Sequence, residues 1–219
     1  MNVHMKEQIT YYGAAFSEAK AFVLSLHGRS QSSETILEIA ERIGLEGIHY
    51  AAPKAYQNSW YPEKFMAPLE RNEPFLTYSL EVCSSIVNRW IGNGVPTEKI
   101  VLMGFSQGAC LAAEYAIRNP KGYGGVLLFT GGLIGPEGTN WPLKGNFDRT
   151  PVFLGTSDVD EWVPVERVDE SEAMFVQMGA KTVKRVYRGM GHLVNDEEIE
   201  AGRCILKGII ENEKTEPNN

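Results

Sequence analysis

Apolar residues along this chain fall into two alternating patterns. Six short runs, several of them apolar at consecutive positions, occupy residues 21–28 ("AFVLSLHG"), 47–53 ("GIHYAAP"), 99–105 ("KIVLMGF"), 124–132 ("GGVLLFTGG"), 150–156 ("TPVFLGT") and 182–189 ("TVKRVYRG"). A strand covered on one face alternates apolar and polar side chains, whereas one covered on both does not. The runs therefore predict strands buried between two layers. Between most of them the spacing changes to three and four. Residues 33–43 place Ile36, Ile39, Ala40 and Ile43 on one face, and 74–90 do the same with Leu76, Leu80, Cys83, Val87 and Trp90. Cys83 is thereby expected in the core. Residues 164–178 open on a proline suited to a first helical turn, and 196–210 turn Ile199, Ile205, Leu206 and Ile209 inward. Strands alternating with helices predict an α/β protein with a mainly parallel central sheet and helices on both faces.

Two segments break the alternation. The end of the chain, "ENEKTEPNN", is polar with no apolar anchor, so one domain is expected over 1–211 and a disordered tail over 212–219. Residues 51–76, "AAPKAYQNSWYPEKFMAPLERNEPFL", hold four prolines and five aromatics after a strand. Loops at the carboxyl ends of strands are where ligands bind in such sheets. The segment can be a proline-stiffened surface loop or a substrate wall, with Trp60 and Tyr61 as its candidate binding residues.

Composition narrows the function classes. A length of 219 residues with 43% hydrophobic content suits one domain with a sizeable core. A net charge of −7 argues against nucleic-acid or anionic-membrane partners. "MNVHMKEQITYY" lacks the apolar core of a signal peptide, and "GGVLLFTGGLIG" is too short and glycine-rich to insert in a bilayer. Three widely spaced cysteines do not make a disulfide framework, and no Cys/His cluster has metal-ligand spacing. A soluble cytoplasmic protein without a metal is the simplest expectation.

The run at 99–105 ends in Gly104-Phe105-Ser106-Gln107-Gly108 and passes straight into an alanine-rich helix. A serine between two glycines at a strand-to-helix turn is a nucleophile elbow, in which a strained backbone lifts the hydroxyl clear of the sheet. Such a hydroxyl needs a base, and the base needs an orienting carboxylate. Of the four histidines, His4 precedes the first strand and His49 lies within one, which suits structural or solvent-exposed roles. His192, in "RGMGHLVNDEE" just past a strand, is positioned to reach over the sheet edge. Folds of this kind run in the order Ser, acid, His. Asp158 and Asp160 both lie in the loop "TSDVDEWVP" at a strand's carboxyl end, and spacing does not separate them. Two amides must face the developing oxyanion. Gln107 supplies one, and the loop "SLHGRSQSSE" supplies the other through Arg29, with His27 bracing that loop.

Together "LHGR", "GFSQGA", "DVDEWVP" and "GMGH" resemble the phospholipase/carboxylesterase branch of the α/β-hydrolases, including bacterial carboxylesterases and acyl-protein thioesterases. The "WYP…APLERNEP" segment is similar to a bacterial subgroup of hydroquinone-response hydrolases. The resemblance implies an α/β-hydrolase fold without a large lid, with nucleophile Ser106, base His192 and oxyanion donors Arg29 and Gln107. Its D-x-x-V-P motif favours Asp160 over Asp158 as the acid. It implies a carboxylesterase acting on small to medium esters through an acyl-enzyme, or a thioesterase or lysophospholipase-like hydrolase. A non-catalytic binding scaffold is the third reading. No cofactor is implied, and the expected partners are a small-molecule ester and, where the chain self-associates, a second copy in a homodimer. Ser30 replaces the second glycine of the usual H-G-x-G loop, and Arg29 replaces a frequent leucine.

Overall fold

The computed structural model describes residues 1–141 and 144–211. The expected disordered tail, 212–219, lies outside them. Seven strands form one sheet: β1 (Ile9–Gly13), β2 (Ala21–Leu26), β3 (Ile48–Pro53), β4 (Ile100–Phe105), β5 (Gly125–Phe129), β6 (Pro151–Ser157) and β7 (Lys181–Tyr187). Their order is β1-β3-β2-β4-β5-β6-β7. All pairings are parallel except β1 on β3. Five α-helices cover it: α1 (Ser33–Ile43), α2 (Phe75–Gly92), α3 (Gln107–Arg118), α4 (Val165–Gln177) and α5 (Asp196–Glu211).

Consecutive apolar residues in the central strands serve two separate cores. Leu24, Leu26, Leu102, Leu128 and Leu154 pack with residues of α2, α3 and α4. Their strand neighbours Val23, Val101, Met103, Leu127, Phe129 and Phe153 pack with α1 and α5. Every residue of β2, β3, β4 and β5 is buried, as the unbroken apolar runs require. Cys83 is fully buried on α2.

Two edge strands differ from that rule. β1 was not expected, because its side chains progress from half-buried to exposed and leave no apolar run. It is held instead by antiparallel backbone pairing to β3, with Tyr11 and Tyr12 exposed. β7 alternates exposed and half-buried residues, as an edge strand can. β5 ends at Phe129, earlier than its apolar run, because Thr130 turns away at φ +55°.

Parallel strands place their carboxyl ends together, so the loops after β2, β4, β6 and β7 converge on one sheet edge. Among the described residues, no helix is long and apolar enough to cross a membrane.

Candidate active site

Ser106 joins β4 to α3 with φ +54° and ψ −119°, a conformation that costs a non-glycine residue backbone strain. The strain is held on both sides, since the Ser106 amide donates to Phe129 O at 2.9 Å and its carbonyl accepts the Cys110 amide at 3.0 Å. The flanking glycines are steric necessities. A Cβ on Gly104 would stand 2.3 Å from the Gly108 backbone, and one on Gly108 would stand 2.0 Å from Leu26 O. The sharp turn therefore exists only because strand, helix and neighbouring strand touch backbone to backbone.

From the loop after β7, His192 reaches the serine: its Nε2 lies 2.8 Å from Ser106 Oγ. Its Nδ1 lies 2.7 Å from Asp160 Oδ2, and the Asp160 side chain is fully buried. A carboxylate only accepts, so Nδ1 carries the proton and Nε2 is left to accept from the hydroxyl. The other Asp160 oxygen, Oδ1, accepts the amides of Trp162 and Val163 at 2.8 and 2.9 Å. Asp158 faces another way: it is exposed, and its Oδ1 accepts the Gly189 amide at 2.7 Å. The two aspartates that spacing left equivalent thus divide the work, one touching the imidazole and the other tying down the loop that carries it. The Ser157 hydroxyl bonded to Met190 O and the Phe105 ring, 5.0 Å from that of His192, further restrain this loop.

The loop after β2 brings Arg29 beside the serine. Gly28 N donates to Gln31 Oε1 and Gln31 N to Gly28 O within the turn, and Ser30 N donates to Asn58 O of the 51–76 segment, so the backbone is held on either side of Arg29. Among the described residues, neither the Arg29 nor the Gln107 amide has an internal acceptor. Ser30 sits at φ +62°, the left-handed region a glycine would occupy without strain. His27 braces the turn from inside. Its Nε2 accepts the Ala55 amide at 3.0 Å, its Nδ1 donates to Gly28 O at 2.7 Å, and burial lowers its pKa. His4 and His49 are both buried and structural. His4 Nδ1 accepts the Tyr56 amide, with burial lowering its pKa to about 4, and His49 Nδ1 donates to Ala14 O.

The side chains of Arg29 and Gln107 have a second use that sequence reasoning missed. The Arg29 guanidinium donates to the carbonyls of Tyr61, Pro62 and Glu63, and the Gln107 carboxamide bonds the Trp60 amide and Tyr61 O. Both residues therefore clamp the proline-rich segment against the serine. Nothing in their types or spacing signals this, because the partners are backbone atoms.

That segment forms one wall of a cleft of about 670 Å³ that contains Ser106 and His192. Tyr61, Phe65 and Met66 line it from that segment, together with Cys110 and with Trp162 and Val163 of the loop after β6. Of the two aromatics expected to bind substrate, only Tyr61 lines the cleft. Trp60 is a correction: it is fully buried behind the wall, its Nε1 donating to His27 O at 2.9 Å and its ring against those of His27 and His4. Trp162 faces the cleft instead, and its place two residues after Asp160 was the available signal. Among the described residues no group of three or more His, Cys, Asp or Glu side chains is arranged to hold a metal ion.

A parallel sheet with an antiparallel first strand, a serine at the turn after its central strand and loops that bring histidine and aspartate to it define an α/β-hydrolase fold. A family model described as Phospholipase/Carboxylesterase matches residues 14–208. The chain belongs to that family and is a hydrolase of it. It is similar to a solved phospholipase/carboxylesterase from Dyadobacter fermentans, with 40% identity, 94% of this chain and 97% of that one covered, and a TM-score of 0.86. A probable carboxylesterase SOBER1-like from Arabidopsis thaliana is 24% identical over 87% of this chain and 79% of its own length. Acyl-protein thioesterase 1 from Eremothecium gossypii is 28% identical over 64% of this chain and 60% of its own.

Proposed function

We propose that the protein is a serine carboxylesterase that hydrolyses small to medium esters through an acyl-enzyme. The observation that carries this reading is the continuous chain of contacts from Asp160 through His192 to Ser106, at 2.7 and 2.8 Å. In this reading Ser106 Oγ attacks the ester carbonyl as its proton passes to His192 Nε2. Asp160 stabilises the imidazolium and holds its orientation. The carbonyl oxygen, now negative, takes hydrogen bonds from the Arg29 and Gln107 amides. As the tetrahedral intermediate collapses, the acyl–oxygen bond breaks and Nε2 returns the proton to the departing alcohol. Water, deprotonated by the same nitrogen, then attacks the acyl-serine and releases the acid.

A thioester is the second substrate class, favoured by the acyl-protein thioesterase relatives. Attack on it passes through an equivalent oxyanion, so the same groups serve. Nitrophenyl esters from acetyl to palmitoyl, assayed beside Ser106→Ala, test the reading. The reading predicts a maximum among the shorter acyl groups and no enzymatic turnover in the variant. A maximum at palmitoyl, or turnover that survives in the variant, contradicts it. Oxygen and sulfur esters of one acyl group, compared side by side, decide between the two classes.

A further inference from the structure

We propose that Trp162 is the platform for the alcohol half of the substrate, and that the preferred leaving group is an uncharged alcohol bearing a planar ring. The inference rests on the esterase reading and adds to it a substrate class and the residue that selects it. Four tryptophans occur in the chain. Trp60, Trp90 and Trp141 are buried, whereas Trp162 is 62% exposed although it lines the cleft. A large ring left in water gains most from a ligand that covers it. Its backbone is anchored, because the Trp162 and Val163 amides both bind Asp160 Oδ1 and Pro164 follows at the start of α4. A ring carried on a fixed turn loses little freedom when it is covered.

Position assigns the ring to the alcohol half. Trp162 belongs to the loop that holds the His192 ring, and His192 is the group that must protonate the departing alcohol. Tyr61, Phe65 and Met66 line the same cleft from a different segment, the proline-rich stretch 51–76. Apolar groups from two segments thus line the cleft that holds Ser106, and the flat face of the exposed indole suits a flat group. An uncharged leaving group fits because the charged side chains lining the cleft cancel, Arg29 and Lys64 against Glu63 and Glu161, and the Arg29 guanidinium already donates to three carbonyls.

The test uses acetates of ethanol, cyclohexylmethanol, benzyl alcohol and choline, with kcat/KM measured for the wild type, Trp162→Ala and Trp162→Phe. Benzyl and cyclohexylmethyl alcohols are close in size and acidity, so their comparison isolates planarity. The wild type is expected to favour the benzyl over the ethyl ester by about tenfold or more. That ratio should fall at least about fivefold in Trp162→Ala and return in Trp162→Phe. An unchanged ratio in Trp162→Ala, a cyclohexylmethyl ester as good as the benzyl, or a choline ester that outranks both overturns the proposal. Binding is read separately in Ser106→Ala, where benzyl alcohol should shift the emission of the one exposed tryptophan to the blue. Absence of that shift overturns the platform even where turnover shows the esterase reading to hold. Absence of Ser106-dependent turnover on every ester, with the shift present, counts against the esterase reading instead.

Discussion

Gln107 Oε1 accepts the backbone amide of Trp60 at 2.9 Å, and this bond ties the turn that carries Ser106 to the wall of the cleft. The same carboxamide donates to Tyr61 O at 2.8 Å. Gln107 is buried, so its removal strands an amide and a carbonyl that water does not reach. Each such loss costs about 1–3 kcal/mol. Gln107→Ala keeps its own backbone amide, and it is expected to lower stability by about 2 kcal/mol or more in urea unfolding. It should also lower kcat/KM by about tenfold or more through the displaced wall. Gln107→Glu retains the shape but cannot donate to Tyr61 O, and it should be no better than the alanine.

The two aspartates of one loop should separate sharply. Asp160→Asn presents an amide where the His192 N–H needs an acceptor, which favours the wrong tautomer. A fall in kcat of about 10⁴-fold is expected. Asp158→Asn keeps an oxygen for the Gly189 amide and should cost less than about tenfold. Steady-state assays of both variants on one nitrophenyl ester check the ordering, and the reverse order would exchange their roles.

How much of this was legible beforehand follows from what each residue contacts. The five buried strands, β2 to β6, and the turn at Ser106 were readable, because two-sided burial leaves unbroken apolar runs and backbone contact demands Gly104 and Gly108. β1 was not, since edge pairing uses backbone atoms and leaves no trace in side-chain pattern. Trp60 and Trp162 both lie in loops beside the serine, yet one is fully buried and the other exposed. That difference is set by His27 O and His4 behind Trp60, partners distant in sequence. For the same reason spacing could not choose between Asp158 and Asp160, which differ only in which neighbour each one meets.

Glu198 carries a pH dependence separate from the cleft. Its carboxyl is fully buried on α5, with Oε2 accepting the Asn195 amide at 2.9 Å and Oε1 without a hydrogen-bond partner among the described residues. Burial raises its pKa from 4.5 to about 7. The folded protein therefore binds a proton between those values that the unfolded chain has released, so stability falls as pH rises from about 4.5 through 7. Glu198→Gln removes the charge and should be the more stable protein at pH 8 relative to pH 5, by as much as about 3 kcal/mol. Urea unfolding of both proteins at the two pH values checks this. A difference that does not change with pH would contradict it.

The central claim is that Ser106 is a nucleophile activated by His192, and intact-protein mass after exposure to a fluorophosphonate tests it most directly. One adduct per chain is predicted, mapping by peptide to Ser106, absent from Ser106→Ala and formed at least about 10³-fold more slowly by His192→Ala. Modification at a different residue, or labelling of Ser106→Ala at the wild-type rate, would contradict the account.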